Sequence, residues 1–192
     1  MAGKKYMQAG CPCRMLRYMG LVASATFWLT ALASISVNSW FDISRNAFSD
    51  LGGPRAAYPW IYNDGLITAA AFLGLFSVHV VSSSSNKLEA VGGAYLSISA
   101  IFLALIGIYH EGTRPHVFVS TWFFIQAFLG FLIYGLGRAL VERKRIGLSY
   151  VAIFLAALAG ALMVPWPSAA ALEAYEVVLL TAGAAIYTLS QS

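Results

Sequence analysis

The sequence is dominated by six long apolar stretches, each separated from the next by a shorter polar segment. A helix needs about 20 mostly apolar residues to cross about 30 Å of hydrocarbon. Each stretch is close to that length, and none carries a charged side chain near its middle. We therefore predict an all-α membrane bundle that forms one domain over residues 1–192. Its six transmembrane helices are expected at about 16–37, 64–82, 88–110, 117–140, 147–165 and 169–189.

The composition supports a membrane protein and excludes two other classes. Apolar residues make up 59% of the chain and charged residues 10%, whereas roughly a quarter of a soluble domain is charged. A disordered chain has few apolar residues and much charge. The first stretch is longer than the apolar region of a signal peptide, and five more follow. We interpret it as a span, although Ala31-Leu32-Ala33 resembles a cleavage site.

Lysine and arginine are distributed unevenly between the two ends of the predicted bundle, and the positive-inside rule assigns the richer side to the cytoplasm. Arg45, Arg55 and Arg114 fall on one side. We therefore predict a multi-pass protein of the cell membrane with both termini in the cytoplasm. The non-cytoplasmic end, here called the polar end, comprises residues 38–63, 110–116 and the start of the last span. The nine basic residues on the opposite side are Lys4, Lys5, Arg14, Arg17, Lys87, Arg138, Arg143, Lys144 and Arg145.

Two cysteines flank Pro12 just before the first span. Cysteines beside a membrane span are candidates for acylation, and unmodified surface thiols are the alternative interpretation of Cys11 and Cys13. Two cysteines so close together provide no disulfide framework.

Ionisable side chains are concentrated at the polar end, where six of the eight acids and two of the three histidines fall. Helix ends in a six-helix bundle are neighbours, so we expect these side chains to meet. Opposite charges beside low-dielectric walls are typical of a functional site. The candidate ligand-binding residues are Asp50, Asn63, His110, Glu111, Arg114, His116 and Glu173.

Most of these positions also have a purely structural interpretation. Asn63 and Asp64 stand where the N-cap of the second span is predicted. Thr113 is placed to cap the fourth span, with Pro115 in its first turn. Residues 49–54 have the composition of a turn. The acids at the start of the last span favour a helix N-terminus electrostatically.

A metal site is one functional hypothesis for the polar end. His110, Glu111 and His116, together with Asp50 or Glu173, offer the nitrogen and oxygen ligands that zinc accepts. The spacing H-E-x4-H differs from the helical H-E-x-x-H motif, so the hypothesis depends on ligand type alone. No other cofactor is predicted.

A second hypothesis is a membrane-embedded hydrolase or transferase that acts on a lipid headgroup. Ser49 with His116 or His110 and an aspartate contains the residue types of a catalytic triad, which is recognised by geometry and not by order. Alternatively, His116 with Asp50 or Glu111 would form an acid–base pair.

A third hypothesis, which we favour, is a binding or accessory subunit of a membrane assembly. Arg45, Arg55 and Arg114 are suited to bind a phosphate or carboxylate, while acids and histidines take hydroxyls. The expected partners are membrane lipid, other membrane subunits or a second copy of the chain. Nucleic acid is not expected, because the basic residues flank the spans. Transport is also disfavoured, because no span carries an ionisable residue near its middle.

Four short elements, in this order and spacing, resemble the domain of unknown function 998 family of six-helix prokaryotic membrane proteins. They are Ser-Asp-Leu-Gly at 49–52, Ile-Tyr-Asn-Asp-Gly-Leu at 61–66, Gly-Ile-Tyr-His-Glu at 107–111, and His116 ahead of the fourth span. The resemblance covers most of the chain. It implies a shared site at the polar end and supplies no reaction.

Two departures from the family pattern concern individual residues. Tyr109-His110 stands where the family often has Phe-Pro, and Glu173 is followed by Ala174 where an arginine is usual near the start of the last span. The missing arginine leaves no basis for transferring a family role to Glu173. The residues to which the resemblance extends a role are Ser49, Asp50, Asn63, Glu111 and His116.

Overall fold

The computed structural model describes residues 15–141 and 144–190. Over these ranges the chain forms six long helices and no β-strand, and all six helices are long and apolar enough to span a membrane. The six-span, all-α prediction is confirmed. Cys11, Cys13, Lys4, Lys5, Arg14 and Arg143 lie outside the described residues. The helices are α1 (Met19–Ser36), α2 (Pro59–Ser82), α3 (Lys87–Ile108), α4 (His116–Leu140), α5 (Lys144–Met163) and α6 (Ala169–Ser190), and a short 3₁₀ helix (Phe48–Gly52) lies between α1 and α2.

The main error in the predicted boundaries concerns α2, which begins at Pro59 and not at Asp64. Tyr58 precedes it with a φ of 56°, in the left-handed region, and proline supplies a suitable φ for the first helical position. Asn63 and Asp64 therefore lie inside the helix and do not cap it. The predicted cap of α4 is also wrong, because the Thr113 hydroxyl donates to the carbonyl of His110.

The three connections between α1 and α2, α3 and α4, and α5 and α6 meet at the polar end. The Ala170 amide donates to the carbonyl of Asn46 at 2.9 Å. Ser168 accepts a hydrogen bond from the Ala171 amide at 3.0 Å, as an N-cap residue does, and its hydroxyl donates to the carbonyl of Ile43. The start of α6 is thus attached to the connection that follows α1.

Consecutive helices pack closely where glycine allows their backbones to approach. A Cβ added at Gly92 of α3 would lie 2.6 Å from the Tyr134 nitrogen and 2.7 Å from the Gly130 carbonyl oxygen of α4. A Cβ at Gly147 of α5 would lie 2.5 Å from the carbonyl oxygen of Gly135. Small residues at such contacts are typical of membrane bundles, where lipid is as apolar as the side chains.

A buried ion pair joins α3 to α4 at the opposite end of the bundle. Glu89, which is 1% exposed, lies 3.4 Å from a guanidinium nitrogen of Arg138. The Glu89 carboxylate also accepts hydrogen bonds from the Ser85 amide and the Asn86 side chain, and Asn86 donates to the carbonyl of Gly137. This pair was not anticipated from the sequence, in which Arg138 served only as a topology signal.

Candidate functional site

The connection between α1 and α2 folds over the polar end and is held there by Asn38, which is 2% exposed. Its amide nitrogen donates to the carbonyls of Ser34 and Ala57, at 2.8 and 3.2 Å. Its carbonyl oxygen accepts from the Ala57 amide and the Trp40 indole, at 2.7 and 3.1 Å. One side chain therefore ties the end of α1 to the residue before Tyr58.

The 3₁₀ helix within this connection is anchored by its own apolar side chains and by Asp50. Phe48 and Leu51 are 2% and 0% exposed. The Asp50 carboxylate accepts a hydrogen bond from the Ala47 amide at 2.9 Å and one from Asn46 at 3.3 Å. Asp50 thus stabilises the start of the 3₁₀ helix.

Three distant segments contact this 3₁₀ helix or Gly53, the residue that follows it. A carboxylate oxygen of Glu173 accepts from the Phe48 amide at 2.8 Å, and the Asn63 amide donates to the carbonyl of Gly52 at 3.0 Å. A Cβ added at Gly53 would lie 3.3 Å from the Cβ of Glu111. The structure therefore brings together Asp50, Asn63, Glu111 and Glu173, as expected from the topology.

His116 occupies the first position of α4, and its side chain is buried. Its Nδ1 lies 2.8 Å from the carbonyl oxygen of Tyr109, which can only accept, so Nδ1 carries a hydrogen. Its Nε2 lies 3.1 Å from a carboxylate oxygen of Glu111. His116 therefore links the Tyr109 carbonyl to the Glu111 carboxylate.

Two of the three candidate metal ligands, Glu111 and His116, contact each other through their side chains. The His110 Nδ1 lies 2.8 Å from the backbone carbonyl oxygen of Glu111, away from the contact between Glu111 and His116. In residues 15–141 and 144–190, no three His, Cys, Asp or Glu side chains are grouped as a metal site requires. The zinc hypothesis stays a prediction.

The three arginines at the polar end lie at its surface. Arg45 pairs with Asp42 at 3.4 Å, and its side chain is 82% exposed. Hydrogen bonds from Ser44, together with the Arg45 charge, lower the pKa of Asp42. The Arg55 guanidinium stacks over the Trp40 ring at 4.6 Å, beside a shallow groove that Asp50 and Glu111 also line. Arg114 is exposed.

A partly enclosed cavity of about 90 Å³ runs from the polar end into the bundle. All the long helices except α5 contribute walls, as does the 3₁₀ helix. From His116 to Phe131, the α4 wall extends over about 22 Å at 1.5 Å per residue. The deeper walls are almost wholly apolar, and polar side chains are concentrated at the polar end: Ser49, Tyr62, His116, Ser120 and Glu173.

Two hydroxyl groups in this cavity have no hydrogen-bond partner among the described residues. They belong to Ser49 and Tyr62, which are 7% and 5% exposed. The Ser120 hydroxyl, by contrast, is satisfied by the carbonyl of His116. Both ring nitrogens of His116 have other partners, so no nucleophile–base hydrogen bond joins it to Ser49.

Ser49, His116 and Glu173 were predicted from the sequence as candidate site residues, whereas the other residues that line this cavity were not. Tyr62 appeared only within the motif at 61–66, and Ser120 was not considered. The available signal was helical spacing, because Tyr62, Leu66 and Ala69 recur every three or four residues along one face of α2.

Among the comparisons with known proteins, a family model matches this chain. Searches of curated proteins and of solved structures gave no significant match. The match covers residues 21–190, which include all the residues that line the cavity except Gly20. The chain belongs to the family described as Protein of unknown function (DUF998).

Proposed function

We propose that this protein is a binding subunit for an amphipathic membrane molecule. The ligand's apolar chain would occupy the cavity, and its headgroup would lie against Ser49, Tyr62 and Glu173. One observation carries this proposal: a single cavity joins unpartnered polar groups at the polar end to deep apolar walls.

The dimensions of the cavity support a lipid-like ligand. Half of a hydrocarbon core of about 30 Å is about 15 Å, and the α4 wall of the cavity is about 22 Å long. The wall is thus at least as long as a lipid chain in one leaflet, and a volume of about 90 Å³ limits what the cavity holds to part of a single chain.

Affinity would come mainly from the polar end. Moving an alkyl chain from lipid into an apolar cavity gains little, because lipid is itself apolar. The hydroxyls of Ser49 and Tyr62 and the free oxygen of Glu173 can instead form hydrogen bonds with a headgroup. The polar residues are therefore expected to determine which lipid binds.

We also propose that the polar end faces the non-cytoplasmic side, as the distribution of Lys and Arg favours. In a variant lacking Cys11 and Cys13, cysteines would be placed at Ser39 or Ser85, exposed at opposite ends. On intact cells, a membrane-impermeant maleimide should label Ser39→Cys and leave Ser85→Cys unlabelled. The reverse pattern would invert the proposed topology.

A second candidate function is supported by the Glu111–His116 pair, whose imidazole lines the cavity. Such a pair can transfer a proton to a bound headgroup, which keeps a lipid hydrolase or transferase as the alternative. Turnover of a lipid by the isolated protein, abolished in His116→Gln, would favour the enzyme.

The binding proposal is tested by photoaffinity labelling of the purified protein in a neutral detergent. A single-chain alcohol with a diazirine in its tail should label residues of the cavity wall. Ala127→Leu narrows the cavity and should reduce that labelling, whereas Ala25→Leu makes the same change on the exposed surface of α1 and should not. Equal labelling of both variants, or labelling confined to the outer surface, would overturn the proposal.

A further inference from the structure

We propose that the polar end of the cavity selects a cationic amine headgroup and rejects an anionic phosphate. This inference deepens the proposed binding function and rests on it. It also reverses the expectation that the three arginines of the polar end bind an anion.

The charges around the cavity are the first support. Glu173 lines the cavity, and no Lys or Arg does so among the described residues. A cation placed in the cavity is attracted by the Glu173 carboxylate, and an anion is repelled.

The unpartnered hydrogen-bonding groups are the second and independent support. The hydroxyls of Ser49 and Tyr62 have no partner within the described parts of the chain, although both residues are more than nine-tenths buried. One oxygen of Glu173 accepts from the Phe48 amide, and the other has no partner over the same residues. An ionised carboxylate can only accept, so the free Glu173 oxygen favours a donor such as an ammonium group, and the two hydroxyls can accept from the same group.

The nearby histidine does not provide a competing anion site. Both nitrogens of His116 have partners, namely the Tyr109 carbonyl and the Glu111 carboxylate. A phosphate at this place would have to displace Glu111 from His116 and would still lie close to Glu173. An ammonium group leaves the Glu111–His116 pair intact.

The test uses three photoprobes with the same diazirine-bearing chain and different headgroups: a primary amine, an alcohol and a phosphate. The full-length protein is labelled at neutral pH in a neutral detergent, and half-saturating concentrations are compared. Charge-assisted hydrogen bonds are the stronger class, so we expect the amine to half-saturate at a concentration about tenfold lower than the phosphate.

Substitutions test whether the preference for an amine headgroup arises in the cavity. Glu173→Gln keeps an oxygen for the Phe48 amide and removes the charge, so it should abolish the preference for the amine over the alcohol. Asp64→Asn makes the same change at an exposed position of α2 and should leave the preference intact. If Glu173→Gln does not fold, Ser49→Ala and Tyr62→Phe replace it, and each should weaken amine labelling of the cavity.

The outcomes separate the two proposals. Labelling of the cavity by all three probes with equal or stronger binding of the phosphate would overturn the headgroup inference and leave the binding function standing. Failure of every probe to label the cavity would overturn the binding function and, with it, this inference. An unchanged preference in the folded Glu173→Gln variant would also overturn the inference.

Discussion

The closest backbone approach between α3 and α4 makes Gly92→Ala a sharp test of the packing. The added Cβ would lie 2.6 Å from the Tyr134 nitrogen and 2.7 Å from the Gly130 carbonyl oxygen, and both are backbone atoms that cannot rotate away. The two helices must therefore separate. Gly74 of α2 is the matched control, because the nearest atom to its added Cβ is that of Ala100 at 4.0 Å.

The expected difference in the free energy of unfolding between the two variants follows from two opposing effects. Replacing glycine with alanine inside a helix is favourable by about 0.5–1 kcal/mol, and this gain is common to both variants. Forcing one extra methyl group into a filled contact costs about 1–3 kcal/mol, and only Gly92→Ala bears this cost. The free energy of unfolding should therefore differ by about 1–3 kcal/mol, with Gly74→Ala the more stable variant.

Thermal unfolding in detergent, followed by tryptophan fluorescence, measures this difference. We expect the transition of Gly92→Ala to fall several degrees below that of Gly74→Ala, and that of Gly74→Ala to equal or exceed the unsubstituted protein. Equal transitions for the two variants, or a higher one for Gly92→Ala, would refute the close approach of α3 and α4.

Two further substitutions test the two ends of the bundle. Asn38→Ala removes a side chain that is 2% exposed and accepts from the Ala57 amide at 2.7 Å, so it should lower the free energy of unfolding by about 2 kcal/mol and speed proteolysis of the first connection; the exposed Ser39→Ala is the control, and equal cleavage rates would contradict this role. Arg138→Met leaves Glu89 buried without its cation and should cost about 3–5 kcal/mol, whereas the double variant Arg138→Met with Glu89→Gln should recover part of that loss. A strictly additive cycle, measured by denaturant unfolding in detergent, would show that the pair is not coupled.

The six spans were predictable because a run of about 20 apolar residues is a local property. The start of α2 was not, because Trp60 to Tyr62 reads equally as an interfacial loop and as a first helical turn. The choice depends on Tyr58, whose left-handed backbone allows the chain to enter the helix at Pro59. Polar residues inside that helix, Asn63 and Asp64, were consequently taken for its cap.

The convergence of residues at the polar end was predictable from topology, because alternate connections of an antiparallel bundle meet at the same end. The directions of side chains were not. Nothing in the spacing of Glu89 and Arg138 indicates that they pair, since 49 residues separate them. The same limit applies to the cavity, which depends on which face of each helix is turned inward and on the small space left between them.

The walls of the cavity do not all form at the same time. The α6 wall follows every other wall in the chain, and domains generally acquire structure from the N-terminus during synthesis. Before α6 docks, the other walls form an open trough and the Phe48 amide lacks its acceptor on Glu173. Insertion of that one helix therefore both encloses the chamber and secures the loop above it.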